Sequence, residues 1–545
     1  MTRSWGRGWF HYTLPGAWVA LVFCCLAFTP SLLPRGGILQ GALCGINAAI
    51  GYGFGVAGAW VWRAFADREA RAARRRSWLI FAVVASICVV ISYVSGLIWQ
   101  SELRDLMGVG TPGLTQQVLM PVVAVLFFVA LVALSRALRH LYLWLSRVLQ
   151  RWVGPKAARA VGWTLVVGGT YLVVSGLLLG SLADLANQIF STNNGITKAG
   201  VTQPTSPQRS GGPGSLISWE SLGREGRSFV GTGPSAADIS NFTGTTSPEP
   251  IRAFAGLDSA DDSQAQAQLA VDDLERAGGF DRSYLMVATT TGSGWVSPGA
   301  ADSFEYMTGG DSAIVAMQYS FLPSWISYLV DQAKAREAGR DLFDAVYQRW
   351  LERPKNNRPK LIIFGESLGS FGAEAAFSGE QDLANRTSGA LLVGPPSFNT
   401  LHQEFTTNRE PASTQLQPIY QNGRIVRFDN GTASAVEPVG EPWAGTRILY
   451  VQHASDPIVW WSPALLLHAP DWMSEPPGAD ALPVQWLPFI TFWQISADLP
   501  NAAGVPAGHG HLYTPSYVES WATVLQPPGW TAAKQEALNL IIAET

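Results

Sequence analysis

Apolar positions fill the first 185 residues in long blocks, and beyond residue 218 they come in short ones. Charge-free runs cover residues 9–34, 36–62, 77–101, 106–135 and 160–183. Each holds an apolar core near or above the roughly 18–20 residues that cross a bilayer as a helix. Almost no polar face lies between them, which argues against buried helices of a large soluble protein. The pattern therefore predicts a transmembrane helical bundle of about five spans over residues 1–185. The first run ends in FTPSLLP, with no small-x-small cleavage pattern, and reads as a retained span rather than a signal peptide.

Residues 186–217 include STNNGITKAGVTQPTSPQRSGGPGS, whose Ser, Thr, Gly and Pro content predicts a flexible linker. From 218 to 545 short apolar runs at 284–290, 312–320, 360–364, 390–393 and 447–452 read as buried strands. Residues 329–351 form a long amphipathic helix pattern, and 368–377 a second helix. Strands alternating with helices predict βαβ units, a mostly parallel sheet and helices on both faces.

Composition agrees with a lipid-embedded part. Hydrophobic residues make up 47% of the 545 and charged ones 14%, against roughly 25% charged in an average soluble chain. The net charge of −4 gives no footprint for nucleic acid. Arginine sets an orientation. Arg63, Arg68, Arg71, Arg74, Arg75 and Arg76 follow the second run, and Arg136, Arg139, Arg147, Arg151, Lys156 and Arg159 follow the fourth. Only Arg35 and Arg104 follow the first and third. Basic connections face the cytoplasm, so the N-terminus, with Arg3 and Arg7, is expected there. After an odd number of spans, the large domain is expected outside the cytoplasmic membrane. All four cysteines (Cys24, Cys25, Cys44, Cys88) lie in the apolar runs, so the large domain has neither a disulfide framework nor a thiolate metal site. The clearest polar residues inside the runs are Gln40 and Asn47, and no charge lies mid-span, which speaks against an ion-coupled pathway.

The chemistry centres on LIIFGESLGSFGAE, residues 361–374. A strand runs into Gly365-Glu366-Ser367-Leu368-Gly369 and a helix follows, the setting in which an α/β-hydrolase places its nucleophile. Flanking glycines remove Cβ atoms from a tight turn. A serine needs a base, and in this fold an acid and then a histidine follow it. Asp456, just past the predicted strand 447–452, is the candidate acid, although Asp456-Pro457 also suits a simple turn. His402 and His453 precede it. His468 lies in an apolar stretch and is expected to pack there. His509 and His511 remain, in GHGH. His509, with glycine on both sides, is the preferred base and His511 the alternative.

The oxyanion hole is expected to use the N–H of Leu368 and one from TTTGSGW (289–295), at Thr290 or Thr291. Trp295, Trp460 and Trp461 flank these loops and suit either a pocket wall or core packing. Residues 458–470, IVWWSPALLLHAP, are too short to span and read as a lid or a membrane-facing patch. No phosphate loop, dinucleotide motif or metal-ligand set is present, so no cofactor is expected.

Several segments together, EPIRAFAGLDSA (249–260), TTTGSGWVSP (289–298), GGDSAIVAMQYSFLPSW (309–325), GESLGS (365–370), HASDPIVWW (453–461) and GHGHLY (508–513), give a closer likeness. On them the chain resembles a bacterial family of membrane-anchored α/β-hydrolases that join several N-terminal spans to an extracytoplasmic serine-hydrolase domain. The resemblance implies a triad on Ser367, Asp456 and His509. The expected activity is a membrane-bound serine hydrolase of esterase or lipase type, cleaving a lipid or envelope ester through an acyl-enzyme. The expected partners are the bilayer and the ester substrate. Two other readings compete. A sugar or lipid hydroxyl that outcompetes water would make the protein an acyltransferase, which product analysis with an added alcohol separates. The number of spans suits a transport or assembly component whose hydrolase domain only binds.

Overall fold

The computed structural model describes residues 11–69, 72–431 and 442–544. Arg3, Arg7 and Arg71, on which part of the orientation argument rests, lie outside them. The chain divides into two compact units.

The first unit comprises Met1–Leu182, Pro463–Met473 and Ala481–Asn501. Its helices are α1 (Leu14–Leu26), α2 (Gly37–Phe65), α3 (Arg75–Met107), α4 (Leu114–Leu149) and α5 (Pro155–Leu172). Among the described residues four helical stretches are long and apolar enough to cross a membrane: α2, α3, α4 and Pro155–Gly176. The first expected span differs. It yields only the 13 residues of α1, about 20 Å at 1.5 Å per residue, because Pro30 and Pro34 cannot continue a helix. The residues between them turn inward, with Ser31, Leu32 and Leu33 buried.

Helix α2 packs on α1 and α4. A Cβ on Gly41 would stand 2.4 Å from the Met120 carbonyl oxygen, and one on Gly45 2.5 Å from that of Ala124. These two positions, one helical turn apart, let α2 and α4 touch backbone to backbone, as small residues do between apolar helices. Gln40 and Asn47 are buried: Gln40 Nε2 donates to the Ala27 carbonyl (3.0 Å) and Asn47 Nδ2 to that of Leu43 (2.9 Å), while Asn47 Oδ1 has no hydrogen-bond partner among the described residues.

Arg35, in the connection after the first apolar run, is buried. Its Nε donates to Asp498 Oδ1 at 2.7 Å. Asp498 ends the helix Ile490–Asp498, which packs on α2, and its other oxygen accepts the Leu32 N–H (3.1 Å) and the Ser31 hydroxyl. Stretches 463–473 and 481–501 of the expected 218–545 catalytic domain thus belong to the helical unit. His468, expected to pack, is exposed.

The second unit is an α/β sandwich around a seven-stranded sheet in the order β1-β3-β2-β4-β5-β7-β6. The strands are β1 (Ile251–Ala255), β2 (Tyr284–Thr289), β3 (Ser312–Met317), β4 (Lys360–Glu366), β5 (Gly389–Val393), β6 (Val426–Asp429) and β7 (Arg447–Val451), all paired in parallel. They are buried almost throughout, as helix-covered parallel strands must be. Strand β4 is central. β1 and β6 escape the apolar-run pattern because each has an arginine in it. Arg252 of β1 is buried and offset by Glu305 (2.8 and 2.6 Å) and Asp302 (2.6 Å). Arg427 of β6 donates to the Gly423 carbonyl at 2.7 Å.

Part of the expected flexible linker is built into this unit. The Ser210 N–H donates to the Arg252 carbonyl (3.0 Å), the Arg252 N–H to that of Gln208 (3.2 Å), and the Ser210 hydroxyl to Asp273 (2.5 Å). Backbone pairing beside β1 orders a stretch whose composition alone reads as a tether.

Candidate active site

Ser367 follows the carboxyl end of β4 and precedes the helix Leu368–Glu374. Its backbone sits at φ 55°, ψ −126°, a region that costs a non-glycine residue of order 1–3 kcal/mol and persists only where the surroundings impose it. The Ser367 N–H donates to the Val393 carbonyl at 2.8 Å, extending the β4–β5 ladder into the turn. A Cβ on Gly365 would stand 2.4 Å from the Gly369 carbonyl oxygen, and one on Gly369 2.3 Å from that of Thr289. Only glycine fits either place.

Behind the turn a buried polar network holds the helix. The Ser370 hydroxyl donates to the Ser367 carbonyl (2.7 Å), and Asn399 Nδ2 donates to Ser370 Oγ and Glu374 Oε1 (both 3.0 Å). Glu374 also accepts from the Tyr450 hydroxyl (2.9 Å) and the Leu401 N–H (2.8 Å). Burial pushes its carboxyl up to about 7, against the pull of these donors.

Asp456 lies past β7, fully buried. Its Oδ1 accepts the Ile458 N–H (2.9 Å) and caps the short helix Pro457–Trp460. The turn reading of Asp456-Pro457 is therefore also true, and it uses one oxygen. The other, Oδ2, lies 2.6 Å from His511 Nδ1 and accepts the Tyr513 hydroxyl at 2.7 Å. The carboxylate is thereby aimed at one imidazole.

The preferred base from the sequence, His509, is not on Asp456. Its Nδ1 is 4.0 Å from Asp480 Oδ2 and carries no hydrogen bond among the described residues. The reason is the loop. The Gly510 N–H donates to Ser455 Oγ (2.7 Å), Ser455 is held by Asp480, and Gly510 turns through φ 54°. That turn brings the next side chain, His511, onto Asp456. The flanking glycines that favoured His509 in fact aim its neighbour.

His511 is largely enclosed, with 14% of its side chain exposed. Among the described residues its Nε2 is buried without a hydrogen-bond partner. Its ring lies against Gly394, the residue after the one whose carbonyl holds Ser367. Burial works to lower the imidazole's proton affinity. The charge and hydrogen bond of Asp456, with a smaller push from Glu366, more than offset it, and the pKa rises above its ordinary value. Glu366, beside the serine, is buried, bonded by the Tyr517 hydroxyl and itself raised by burial.

For the oxyanion hole the neighbouring N–H groups differ. That of Thr291 donates to the Trp295 carbonyl (3.1 Å) and that of Gly292 to the Tyr319 hydroxyl (2.7 Å). This leaves Thr290, whose hydroxyl is fixed on the Met317 carbonyl (2.7 Å). Leu368 stands at the first helical position, where the N–H has no intrahelical acceptor. Gly369 approaches the carbonyls of Thr289 and Thr290 closely: a Cβ there would stand 2.3 and 3.3 Å from their oxygens.

Two family models match the chain. One, described as an alpha/beta-hydrolase family, covers residues 251–538, and the other, described as that family's N-terminus, covers residues 28–234. The chain belongs to this α/β-hydrolase family. No curated protein and no solved structure matches it.

Within this hydrolase fold the sequence pattern missed Tyr513 as a support of the acid, although it lies in GHGHLY. It also missed an aromatic row: Phe371 packs on Phe398 (centroids 4.9 Å), Phe398 on Tyr328 (5.0 Å) and Tyr328 on Trp461 (6.1 Å). Phe371 is on the helix that follows Ser367. Trp460 is buried, its Nε1 on the His453 carbonyl (2.9 Å), and serves the core. Trp295 is half-buried.

Proposed function

We propose that this protein is a membrane-bound serine hydrolase acting on carboxylic esters, with Ser367 as nucleophile, His511 as base and Asp456 as the acid that orients it. The carrying observation is the pair formed by His511 Nδ1 and Asp456 Oδ2 at 2.6 Å. It leaves Nε2 without a hydrogen-bond partner among the described residues, on a ring that lies against Gly394, while Ser367 is held in a strained turn. Ser367 Oγ attacks the ester carbonyl while His511 Nε2 takes its proton. Asp456 stabilises the imidazolium. The N–H groups of Leu368 and Thr290 receive the oxyanion, helped by the helix N-terminus. The intermediate collapses, His511 returns the proton to the leaving alkoxide, and an acyl-enzyme remains. Water, deprotonated by His511, attacks the acyl carbonyl and releases the acid and Ser367.

The substrate we assign is a lipid or envelope ester. The row Phe371–Phe398–Tyr328–Trp461 offers an apolar wall near the nucleophile, and a membrane anchor concentrates such substrates. We assign the hydrolase unit to the outer face of the cytoplasmic membrane. This does not depend on whether α1 spans. The connections α2–α3 and α4–α5 carry the basic residues, among them Arg68, Arg74, Arg151 and Lys156, so α5 leads away from the cytoplasmic side.

The test is pre-steady-state hydrolysis of a medium-chain nitrophenyl ester by the detergent-solubilised full chain. A burst of about one alcohol per enzyme before the steady state supports the acyl-enzyme. Turnover with no burst, undiminished in Ser367→Ala, contradicts it.

A further inference from the structure

The helical unit holds a cavity between α2, α3 and α4, lined by its own residues. Its polar lining includes Arg35, Arg104 and Gln116, and its apolar lining Tyr93, Leu97 and Met120. Two buried guanidiniums meet one carboxylate here. Asp498 is bound to Arg35. Arg104, 7% exposed, touches only neutral oxygens among the described residues: the Arg35 carbonyl at 2.6 Å, and the Gln100 carbonyl and Oε1 at 3.3 and 3.4 Å. Its acidic neighbours in sequence, Glu102 and Asp105, are exposed and form no ion pair with it. The α3 C-terminus, three residues on, offsets only part of such a charge.

A buried charge without a counter-charge is costly, and in an apolar helical unit it marks a site. Gln116 adds the complement: its Oε1 is buried and accepts no hydrogen bond among the described residues. The cavity thus lacks one anion and one hydroxyl-type donor. Its wall continues onto the outward faces of the helices, where Val94, Leu97 and Ile98 are exposed, so an acyl chain can leave sideways.

We propose that this cavity binds a lipid with an anionic phosphate and a hydroxyl-bearing headgroup, the phosphate on Arg104 and the hydroxyl on Gln116. The lipid is a resident of the helical unit and not the ester that Ser367 attacks.

The test uses the delipidated full chain in uncharged detergent. Thermal unfolding is followed with phosphatidylglycerol, phosphatidylcholine or soluble glycerol 3-phosphate. Phosphatidylglycerol is expected to stabilise the wild type above the other two, with binding weakened about thirty-fold or more in Arg104→Gln. Equal stabilisation by phosphatidylglycerol and phosphatidylcholine, or an unchanged effect in Arg104→Gln, overturns the proposal. Full stabilisation by glycerol 3-phosphate overturns the lipid source. Native mass spectrometry of the wild type, independent of how the variant folds, is expected to retain one phosphatidylglycerol in preference to phosphatidylcholine, and equal retention overturns the site.

Discussion

His511 Nδ1 lies 2.6 Å from Asp456 Oδ2, whereas His509, two residues earlier, stands 4.0 Å from Asp480 and makes no hydrogen bond through its Nδ1. One turn of a glycine loop thus separates the histidine that reaches Asp456 from one that does not. His511→Ala is expected to lower kcat for an ester by about 10⁴-fold, the scale of losing a triad member, while His509→Ala stays within about threefold of wild type. Steady-state kinetics of both variants checks this, and the reverse order would return the role to His509.

The same pair sets the pH dependence. Asp456 favours the protonated imidazole and outweighs burial, so the His511 pKa lies above the ordinary 6.5. Only the neutral imidazole accepts a proton. The kcat/KM profile is therefore expected to rise with pH through a midpoint above 6.5 and to be low on the acid side. In Asp456→Asn burial is opposed only by Glu366, so the midpoint is expected to move down even as the plateau drops. A midpoint that stays put would mean that another group titrates.

The turn at Ser367 leaves no room. A methyl group on Gly369 would stand 2.3 Å from the Thr289 carbonyl oxygen, and relief requires moving the strand end that carries Thr290. Gly369→Ala is expected to cost about 10²-fold or more in kcat, as misplacement near 1 Å does, with the protein still folded by circular dichroism.

Stability in the second unit rests partly on a charge. Arg252 is enclosed between Glu305 and Asp302, and its removal leaves two buried carboxylates without their ion-pair partner. Arg252→Met is expected to destabilise the fold by about 3–5 kcal/mol, measured by urea unfolding, with a smaller loss in Arg252→Lys.

Five strands were legible because β2, β3, β4, β5 and β7 are nearly unbroken apolar runs. β1 and β6 were not, since Arg252 and Arg427 interrupt them and their partners lie elsewhere in the chain. Ser367 and Asp456 could be placed from order and local structure. The two histidines could not be separated, because which one reaches Asp456 depends on Ser455 and Asp480 holding Gly510. The membership of 481–501 in the helical unit was hidden for the same kind of reason. It rests on Arg35 meeting Asp498, 463 positions away in sequence, and no local pattern announces such a contact. The linker misled in the opposite sense, its composition polar and its backbone paired beside β1.

The most direct measurement is labelling of the solubilised full chain with a fluorophosphonate, followed by mass spectrometry of the modified peptide. The account predicts one adduct, on Ser367, lost in Ser367→Ala, nearly lost in His511→Ala and retained in His509→Ala. A folded wild type that stays unlabelled, or an adduct that survives Ser367→Ala, would contradict it.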